Sequence, residues 1–456
     1  MKLPPQQKRF AARRERASVL IIVLWVCIGL VSIALYFANQ MTYELRASDN
    51  RVSGLAADQA IEGAARYVSL ALLEYATNGA VPDNTHFKCA AVPVGDAKFW
   101  LIGRDPDAGD STEPYFGLVD EGGKLNLNNV STNVFQFLPN ITSDFADAIM
   151  DWRGTNGAVS LDYMSLGYAA KNAPFETVDE LRLVYGAAVG MLAGDDLNRN
   201  GVLDANEKDA NGNGQTDSGL FEYCTVYTRE PNFHADGTTL TNVNTASRSQ
   251  LQSLFQNAGT ASATAMARSV RDSINPPAPA RPNPCTGLFD FCLRCNKAGM
   301  SADDFDRIAD SVTTSTNAYF RGRVNVGTAS ADVLTALFMG ANVDEQTAEA
   351  AAQTLVAYRR QNANSLGSVA WIISALGNNS PVVAALARGD YVTTKSFQFT
   401  ADVAAVGPFG RGYRRVKFVF DVSDGVPKIL YRQDLSRLGW ALGDKTREDL
   451  LAKNTQ

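Results

Sequence analysis

Histidine is nearly absent from this chain, which limits the chemistry that the protein can perform. Only His86 and His234 occur among its 456 residues. A catalytic triad built on histidine and most zinc enzymes need imidazole groups at defined places. Two histidines leave little room for either, and no nucleophile paired with a base stands out. We therefore do not expect an enzyme.

Positive charge is scarce beyond the N-terminus. The net charge of −6 includes the first 16 residues, which hold six basic residues and one acidic residue, so about −11 remains for the rest of the chain. Binding to nucleic acid requires a basic surface that neutralises phosphates. The acidic body argues against nucleic acid as a partner.

Cysteine is sparse as well. One of the six cysteines, Cys27, lies in an apolar run, and in an oxidising compartment the other five would allow up to two disulfides. Three of the five follow the proline-rich stretch NPPAPARPNP, which favours a disulfide that staples a loop. A metal site with three thiolates and a redox pair are alternatives, and the pairing stays open. The five are Cys89, Cys224, Cys285, Cys292 and Cys295.

Charge is missing altogether from Ser18 to Phe37, a run of 20 residues. As a helix this run spans about 30 Å, the thickness of a bilayer core. The basic residues before it predict a cytoplasmic N-terminus, which places the rest of the chain across the membrane. A cleaved secretory signal is the alternative. Its apolar core is usually shorter and is followed by a cleavage site of small residues, whereas here the helical pattern continues after the apolar run.

Proline is missing from residue 6 to residue 80, so the apolar run and the segment after it can form one helix of about 60 residues. We predict a basic leader (1–17), a membrane helix (18–37) and an amphipathic stalk (38–79) that ends near Asn78 and Gly79. Apolar residues at helical spacing predict one stripe along the stalk. They are Leu45, Val52, Leu55, Ile61, Ala65, Val68 and Leu72.

The remaining chain has the pattern of strands, then helices, then strands. Strand patterns fill 86–130, including KFWLI (98–102) and a predicted hairpin over 115–128 around Gly122 and Gly123. Alanine-rich helical patterns fill 131–388, and strands return over 389–445 before a polar tail (446–456). This order predicts an α+β fold, in which a small antiparallel sheet is interrupted by a large inserted α-helical domain.

The helical part repeats itself. The segment NVNTAS (242–247) matches NVGTAS (325–330) at an offset of 83 residues, and FADAIMDWR (145–153) resembles AAAQTLVAYRR (350–360) more loosely. Paired short helices also occur in helix-hairpin-helix modules that bind DNA. The loop FMGAN (338–342) has one glycine and no basic cluster, so we interpret the repeat as helix packing.

The segment DLNRNGVLDANE (196–207) fits the twelve-residue calcium loop at every position. Carboxylate, amide and carbonyl oxygens recur at positions 1, 3, 5, 7, 9 and 12, with glycine at position 6, where the loop turns sharply. The predicted ligands are Asp196, Asn198, Asn200, the carbonyl of Val202, Asp204 and Glu207.

A second, weaker calcium loop begins at Asp209 and extends to Asp217. Its position 12 is Leu220, so the closing carboxylate is missing unless Glu222 or another loop supplies it. We expect one Ca²⁺ ion, with a second as a further option, each fixing a long loop rather than acting as a sensor. The predicted ligands of the second loop are Asp209, Asn211, Asn213, Gln215 and Asp217.

Six segments, kept in order, resemble the K-type minor pseudopilin family of the type II (general) secretion pathway. A basic leader runs into the apolar helix at Ala17 and Ser18. The others are DEGGKLNLN (120–128), AIMDWR (148–153), PFETVDEL (174–181), FEYCTVY (221–227) and TNVNTAS (241–247). The resemblance covers most of residues 9–255, and the segment 256–388 is longer than the family pattern requires.

This resemblance implies a pilin-like fold and a place at the tip of a periplasmic pseudopilus, anchored in the inner membrane by a single helix. It implies other minor pseudopilins as partners, exported proteins as a further partner class, and cleavage by prepilin peptidase between Ala17 and Ser18. The family cleavage site normally has glycine where this chain has Ala17. Ile22 stands where most pilins have glutamate, as the K type implies.

Two other classes of protein compete with this interpretation. A minor pilin of a type IV pilus or DNA-uptake system shares the N-terminus, but is not expected to carry DEGGKLNLN and NVNTAS. A membrane-anchored, calcium-stabilised periplasmic enzyme is the second, although paired acids occur only in the calcium loops.

Overall fold

The computed structural model describes residues 12–104, 113–155 and 161–452. It has a mixed α+β fold, with a long N-terminal helix, a small antiparallel sheet and many further helices. The helices are α1 (Ala12–Leu73), α2 (Thr132–Phe135), α3 (Ser143–Arg153), α4 (Val189–Ala193), α5 (Leu220–Tyr223), α6 (Arg248–Asn257), α7 (Ala263–Ile274), α8 (Leu288–Lys297), α9 (Ala302–Ala309), α10 (Ala331–Gly340), α11 (Glu345–Gln361), α12 (Ala370–Leu376), α13 (Pro381–Leu386) and α14 (Gly443–Ala452).

The strands are short outside the main sheet. They are β1 (Val92–Val94), β2 (Ala97–Ile102), β3 (Val119–Asp120), β4 (Leu125–Asn126), β5 (Cys224–Thr225), β6 (Arg229–Pro231), β7 (Thr241–Asn242), β8 (Val312–Thr313), β9 (Tyr319–Arg321), β10 (Val324–Asn325), β11 (Val392–Thr393), β12 (Gln398–Val406), β13 (Arg414–Asp421) and β14 (Lys428–Asp434). The main sheet has the order β1-β2-β12-β13-β14, with β3 also paired to β12, and all its pairs are antiparallel.

Helix α1 runs unbroken for 62 residues, as the absence of proline predicts. Among the described residues, it is the one helix long and apolar enough to cross a membrane, and a signal sequence near the N-terminus would pass the same test of length and composition. The described side chains before Ser53 are exposed, whereas beyond it one side of the helix packs on the sheet.

The predicted stripe along the stalk is wrong in one respect, because its members divide between two faces. Ile61, Ala65, Val68 and Leu72 are buried against the sheet, together with alanines such as Ala57. By contrast, Leu45, Val52 and Leu55 are exposed and lie away from it, where Leu70 and Leu73 continue the row. The change of face occurs between Leu55 and Ile61, because their spacing of six residues turns an α-helix by about 240° and does not return to the same side.

The two faces of the sheet are covered by different parts of the chain. Alternate side chains such as Phe99, Leu101 and Val403 face α1, as the two-residue period of strands requires. On the opposite face Trp100, Ile102, Ala404 and Val406 contact Ala441 and Leu442 of the C-terminal segment. On that same face Arg415 donates to the carbonyls of Asn198 and Arg199 in the inserted region and pairs with Asp402, while Thr400 donates to Glu121.

The predicted hairpin over 115–128 is wrong. Strand β3 pairs with β12, Glu121–Gly123 forms a 3-10 turn, and β4 pairs in parallel with β5 in the inserted region. Two carboxylates, the half-buried Asp120 and the buried Glu121, cause the departure, because they bind groups far away in the sequence. Asp120 accepts hydrogen bonds from Thr328 and Ser396, and Glu121 accepts them from Thr225 and Thr400.

The inserted region contains three copies of one module, at 125–225, 241–313 and 324–393. Each opens with a two-residue strand, continues through short helices and closes with a strand parallel to the first; the pairs are β4·β5, β7·β8 and β10·β11. In each, an asparagine at the opening strand accepts a hydrogen bond from the backbone two residues later. These residues are Asn126, Asn242 and Asn325. The segment 256–388 therefore completes the second module and adds the third.

In each module an arginine on the second helix donates a hydrogen bond to a backbone carbonyl of the opening turn. Arg153 donates to the carbonyl of Leu127, Arg271 to that of Asn244 and Arg359 to that of Val326. One continuous hydrophobic core runs through all three modules. The modules are therefore packed as one body.

The predicted disulfides are also wrong, since all six cysteines are described and all are free thiols. Cys285, Cys292 and Cys295 are at least 95% buried and belong to the hydrophobic core of the second module rather than to an exposed loop. They act as small apolar side chains there.

Candidate metal centre

The first predicted calcium loop is an insertion in module one, between α4 and α5. In modules two and three a few residues join the last helix to the closing strand, from α9 to β8 and from α13 to β11, and no loop of this length precedes the strand. The first loop is packed into the fold. The side chains of Asp196, Asn198 and Asn200 are exposed by only 6%, 4% and 0%.

The carboxylate of Asp196 accepts two hydrogen bonds from the backbone of its own loop. Its Oδ1 accepts a hydrogen bond from the backbone of Asn200 at 2.9 Å, and its Oδ2 accepts one from the backbone of Gly201 at 2.7 Å. Gly201 has φ of +86°, a conformation that favours glycine and makes the sharp turn. This is the geometry that positions 1 and 6 of the loop need.

The other predicted ligands converge on the same point. Asp204 Oδ2 accepts hydrogen bonds from the side-chain amides of Asn198 and Asn200. Glu207 accepts from the backbone of Asn198 at 3.0 Å and of Asp204 at 3.1 Å, which ties the end of the loop to its beginning. The backbone of Val202 donates to Asn200 Oδ1 at 3.0 Å. The structure thus brings all six predicted residues of the first loop together.

Within the described part of the chain, two buried oxygens of this region have no hydrogen-bond partner. They are Asn198 Oδ1 and Asp195 Oδ2. An unpaired buried acceptor costs free energy, and a bound cation would satisfy it. Hard dications such as Ca²⁺ prefer a donor set of oxygens alone, as this loop offers. Asp195 was missed by the sequence pattern because it precedes position 1.

Carboxylates alone do not make the site. Across the described ranges, no three side chains of histidine, cysteine, aspartate or glutamate are grouped so as to hold a metal ion. An ion here would need the amide oxygens of Asn198 and Asn200 and the carbonyl of Val202 besides the carboxylates of Asp196, Asp204 and Glu207. Twelve-residue calcium loops bind their ion with this combination of carboxylate, amide and carbonyl oxygens.

The electrostatics favour a cation in the loop. Burial raises the pKa of Asp196, although Arg104 and hydrogen bonds from Gly201 and Asn200 lower it. Burial likewise raises the pKa of Glu207. Arg104 lies 3.7 Å from Asp196 Oδ2 but sits closer, at 3.2 Å, to Glu222. The loop carboxylates are therefore incompletely neutralised by the protein.

The second loop repeats the backbone pattern in an exposed setting. Asp209 accepts from the backbones of Gly212 and Gly214, and Asn211 Nδ2 donates to Asp217 Oδ2 at 2.5 Å. Asn213 Oδ1 accepts from the backbone of Gln215 at 2.7 Å. Leu220, at position 12, is buried in α5, and Glu222 is paired with Arg104, so neither closes this loop.

The predicted cleavage site lies within a helix. Ala17 and Ser18 belong to α1, and their side chains are outside the described part of the structure.

Comparison with known proteins adds no assignment: no family model matches the chain, and no curated protein is similar to it.

Proposed function

We propose that this chain is a K-type minor pseudopilin at the tip of the periplasmic pseudopilus of a type II secretion system, where it supports fibre assembly and protein export. The observation that carries the proposal is the two-sided helix α1. One side packs on the sheet from Ser53 onward, while the opposite side keeps an exposed apolar row. The row consists of Leu45, Val52, Leu55, Leu70 and Leu73.

Exposed apolar side chains of this kind favour contact with an apolar surface of another molecule. The exposed Gln59 and Arg66 divide the row into Leu45, Val52 and Leu55 and, further along, Leu70 and Leu73, and apolar side chains exposed together on one face commonly mark interaction sites. Helices of other minor pseudopilins are the partners that match it, because a helix presents an apolar stripe of the same length and period. The charge-free segment before the row supports anchoring in the inner membrane, with the bulk of the chain in the periplasm.

The size of the inserted region supports a place at the end of the fibre. The inserted region, with its three modules in one body, is attached through module one to the face of the sheet that lies away from α1, where Arg415 donates to the carbonyls of Asn198 and Arg199. A subunit inside a helical fibre must accept neighbours above and below, and this bulk would obstruct one of them. Ile22 agrees with this location, since a terminal subunit does not need an acidic residue to pair with a neighbour's amine.

We propose further that the first loop binds Ca²⁺ through Asp196, Asn198, Asn200, Val202, Asp204 and Glu207, and that the second loop binds it more weakly or only with help from elsewhere. The ion would supply positive charge to buried oxygens and fix the loop. Prepilin peptidase would cleave between Ala17 and Ser18, leaving a mature chain whose N-terminus is methylated.

Deletion of the gene in the exporting cell tests the proposal. We expect secreted proteins to accumulate in the periplasm while cell growth and other envelope functions continue. Wild-type chain supplied in trans should restore secretion, whereas a variant with Leu55→Asp, which places a charge in the apolar row, should not. Normal secretion in the deletion strain would exclude the assignment, and a lost metabolic reaction would favour an enzyme.

A further inference from the structure

Two distant parts of the chain meet at the first loop. The C-terminal segment (435–452) lies against the apolar half of the sheet, where Ala441 and Leu442 are fully buried. Its Trp440 carbonyl accepts a hydrogen bond from Asn198 Nδ2 at 3.1 Å. The residues concerned are 242 positions apart in the sequence.

This contact orients a predicted calcium ligand. Asn198 Nδ2 donates both to the Trp440 carbonyl and to Asp204 Oδ2, which fixes the amide between the segment and the loop, and within the described ranges its buried Oδ1 has no hydrogen-bond partner. Groups that orient ligands from outside the coordination sphere commonly change metal affinity when they are lost. The Trp440 carbonyl occupies such a place.

Arg415 joins the same parts from the sheet. Its side chain is fully buried and donates to the carbonyls of Asn198 and Arg199, while a bidentate pair with Asp402 holds the guanidinium in place. Its backbone carbonyl accepts from Leu435 at 2.8 Å, and its backbone N–H donates to Ser436 Oγ at 3.1 Å. One residue therefore binds both the loop and the start of the C-terminal segment.

We propose that calcium binding in the first loop and docking of the C-terminal segment (435–452) on the sheet are coupled, with Arg415 and the Trp440 carbonyl as the positioning groups. The inference rests on the calcium binding proposed above and goes beyond it. Calcium fixes the loop that offers Asn198 to the segment. Docking of the segment in turn holds Asn198 ready for the ion, and such coupling must be reciprocal.

Hydrogen exchange on the full chain in detergent micelles tests the first direction. We compare amide exchange of residues 436–452 in about 1 mM CaCl2, roughly 100 times a dissociation constant in the micromolar range, and in excess EGTA. Calcium should slow exchange in the segment about tenfold, and leave helix α11 (Glu345–Gln361) unchanged. Asp196→Asn, which removes a charged ligand, should abolish the difference.

Calcium affinity, measured by equilibrium dialysis, tests the reverse direction. Leu442→Asp places a charge in the apolar contact of the segment and should weaken calcium binding about tenfold, the lower end of what loss of an orienting group costs. Lys445→Asp changes an exposed residue of the same segment and should leave the affinity within about twofold. Arg415→Lys, which keeps the charge but loses the bidentate geometry, should weaken binding as Leu442→Asp does.

The outcomes separate the inference from its premise. Calcium binding by the wild type, with unchanged exchange in 436–452 and unchanged affinity in Leu442→Asp, overturns the coupling and leaves the proposed calcium site intact. If the wild type binds no calcium, the site and the coupling both fail. The coupling is supported if calcium slows amide exchange in 436–452 and if Leu442→Asp and Arg415→Lys both weaken calcium binding.

Discussion

At the scale of single residues, the segment DEGGK (120–124) acts through buried hydrogen bonds. The carboxylate of Asp120 accepts from Thr328 Oγ1 at 2.5 Å, Ser396 Oγ at 2.6 Å and Asn325 Nδ2 at 3.1 Å. Burial raises its pKa, although the hydrogen bonds from Ser396 and Thr328 lower it. The residue thus connects strand β3 of the main sheet to the third module.

Asp120→Ala should lower the free energy of unfolding by about 3 kcal/mol, because several buried donors would lose their acceptor. Asp272→Ala is a matched control, since Asp272 is 45% exposed and pairs at the surface with Arg248. Its cost should stay under about 1 kcal/mol. Urea unfolding followed by circular dichroism measures both, and equal costs would contradict the role given to Asp120.

Removal of calcium should destabilise the protein if the first loop binds it. The stabilisation is about 2.7 kcal/mol when free calcium is 100 times the dissociation constant. EDTA should therefore lower the melting temperature of the wild type, and Asp196→Ala should remove most of that shift. Asp217→Ala should remove less, because the second loop is exposed and lacks a closing carboxylate. An unchanged melting temperature in EDTA would rule out a stabilising ion.

The cysteines should behave as free, unreactive thiols. Burial raises the pKa of Cys89 to about 11 and that of Cys285 to about 12, so at pH 8 almost no thiolate forms at either. In the native protein at pH 8, iodoacetamide should label at most Cys27, which is exposed. After unfolding, all six cysteines should be labelled without a reductant. Mass spectrometry that found a disulfide-linked peptide pair would contradict this.

At the scale of elements, the three modules should unfold together. Phe255 in the second module and Phe338 in the third are equivalent residues at the repeat offset, and both are fully buried in one continuous core. Each substitution to alanine should cost about 3–5 kcal/mol. Because the core is shared, both should shift the same single unfolding transition, whereas Val189→Ala, at an exposed position, should shift it little. Two separate transitions would show that the modules are independent.

The elements that could be predicted from sequence are those with a strong local signal. The long helix follows from the absence of proline, strand β2 from KFWLI, and the turn between β13 and β14 from Asp424 and Gly425. The compact geometry of the first loop was also predictable, because its predicted ligands all lie in one short stretch, which the structure gathers around a single point.

Features that depend on distant contacts were not predictable in the same way. The segment 115–128 has a hairpin's alternation, but Asp120 and Glu121 bind residues more than 100 positions away. The third module was visible as a repeat of the second and, more loosely, of a helix in the first, whose full extent was hidden because two loops interrupt it. Asp195 and Arg415 carry no motif, and only the fold places them beside the first loop.

At the scale of the whole molecule, the apolar row of α1 sets the expected place of the subunit. Val52 and Leu55 are 60% and 59% exposed, so within a fibre they should contact helices of neighbouring subunits. Cysteine at either position should crosslink in cells to other minor pseudopilins and rarely to a second copy of this chain. Ala57→Cys, on the buried side of the same helix, is the matched control and should not crosslink.

The crosslinks discriminate between a tip and a fibre body. A subunit present once at the end of a fibre meets different partners but no copy of itself, and the three modules beside the sheet would obstruct stacking of identical copies. Frequent self-crosslinking through Val52→Cys or Leu55→Cys, or labelling of this protein along the whole fibre, would therefore place it in the body and refute the tip location. Partner crosslinks that vanish when the other minor pseudopilins are deleted would support it, because the row then loses the surfaces that cover it.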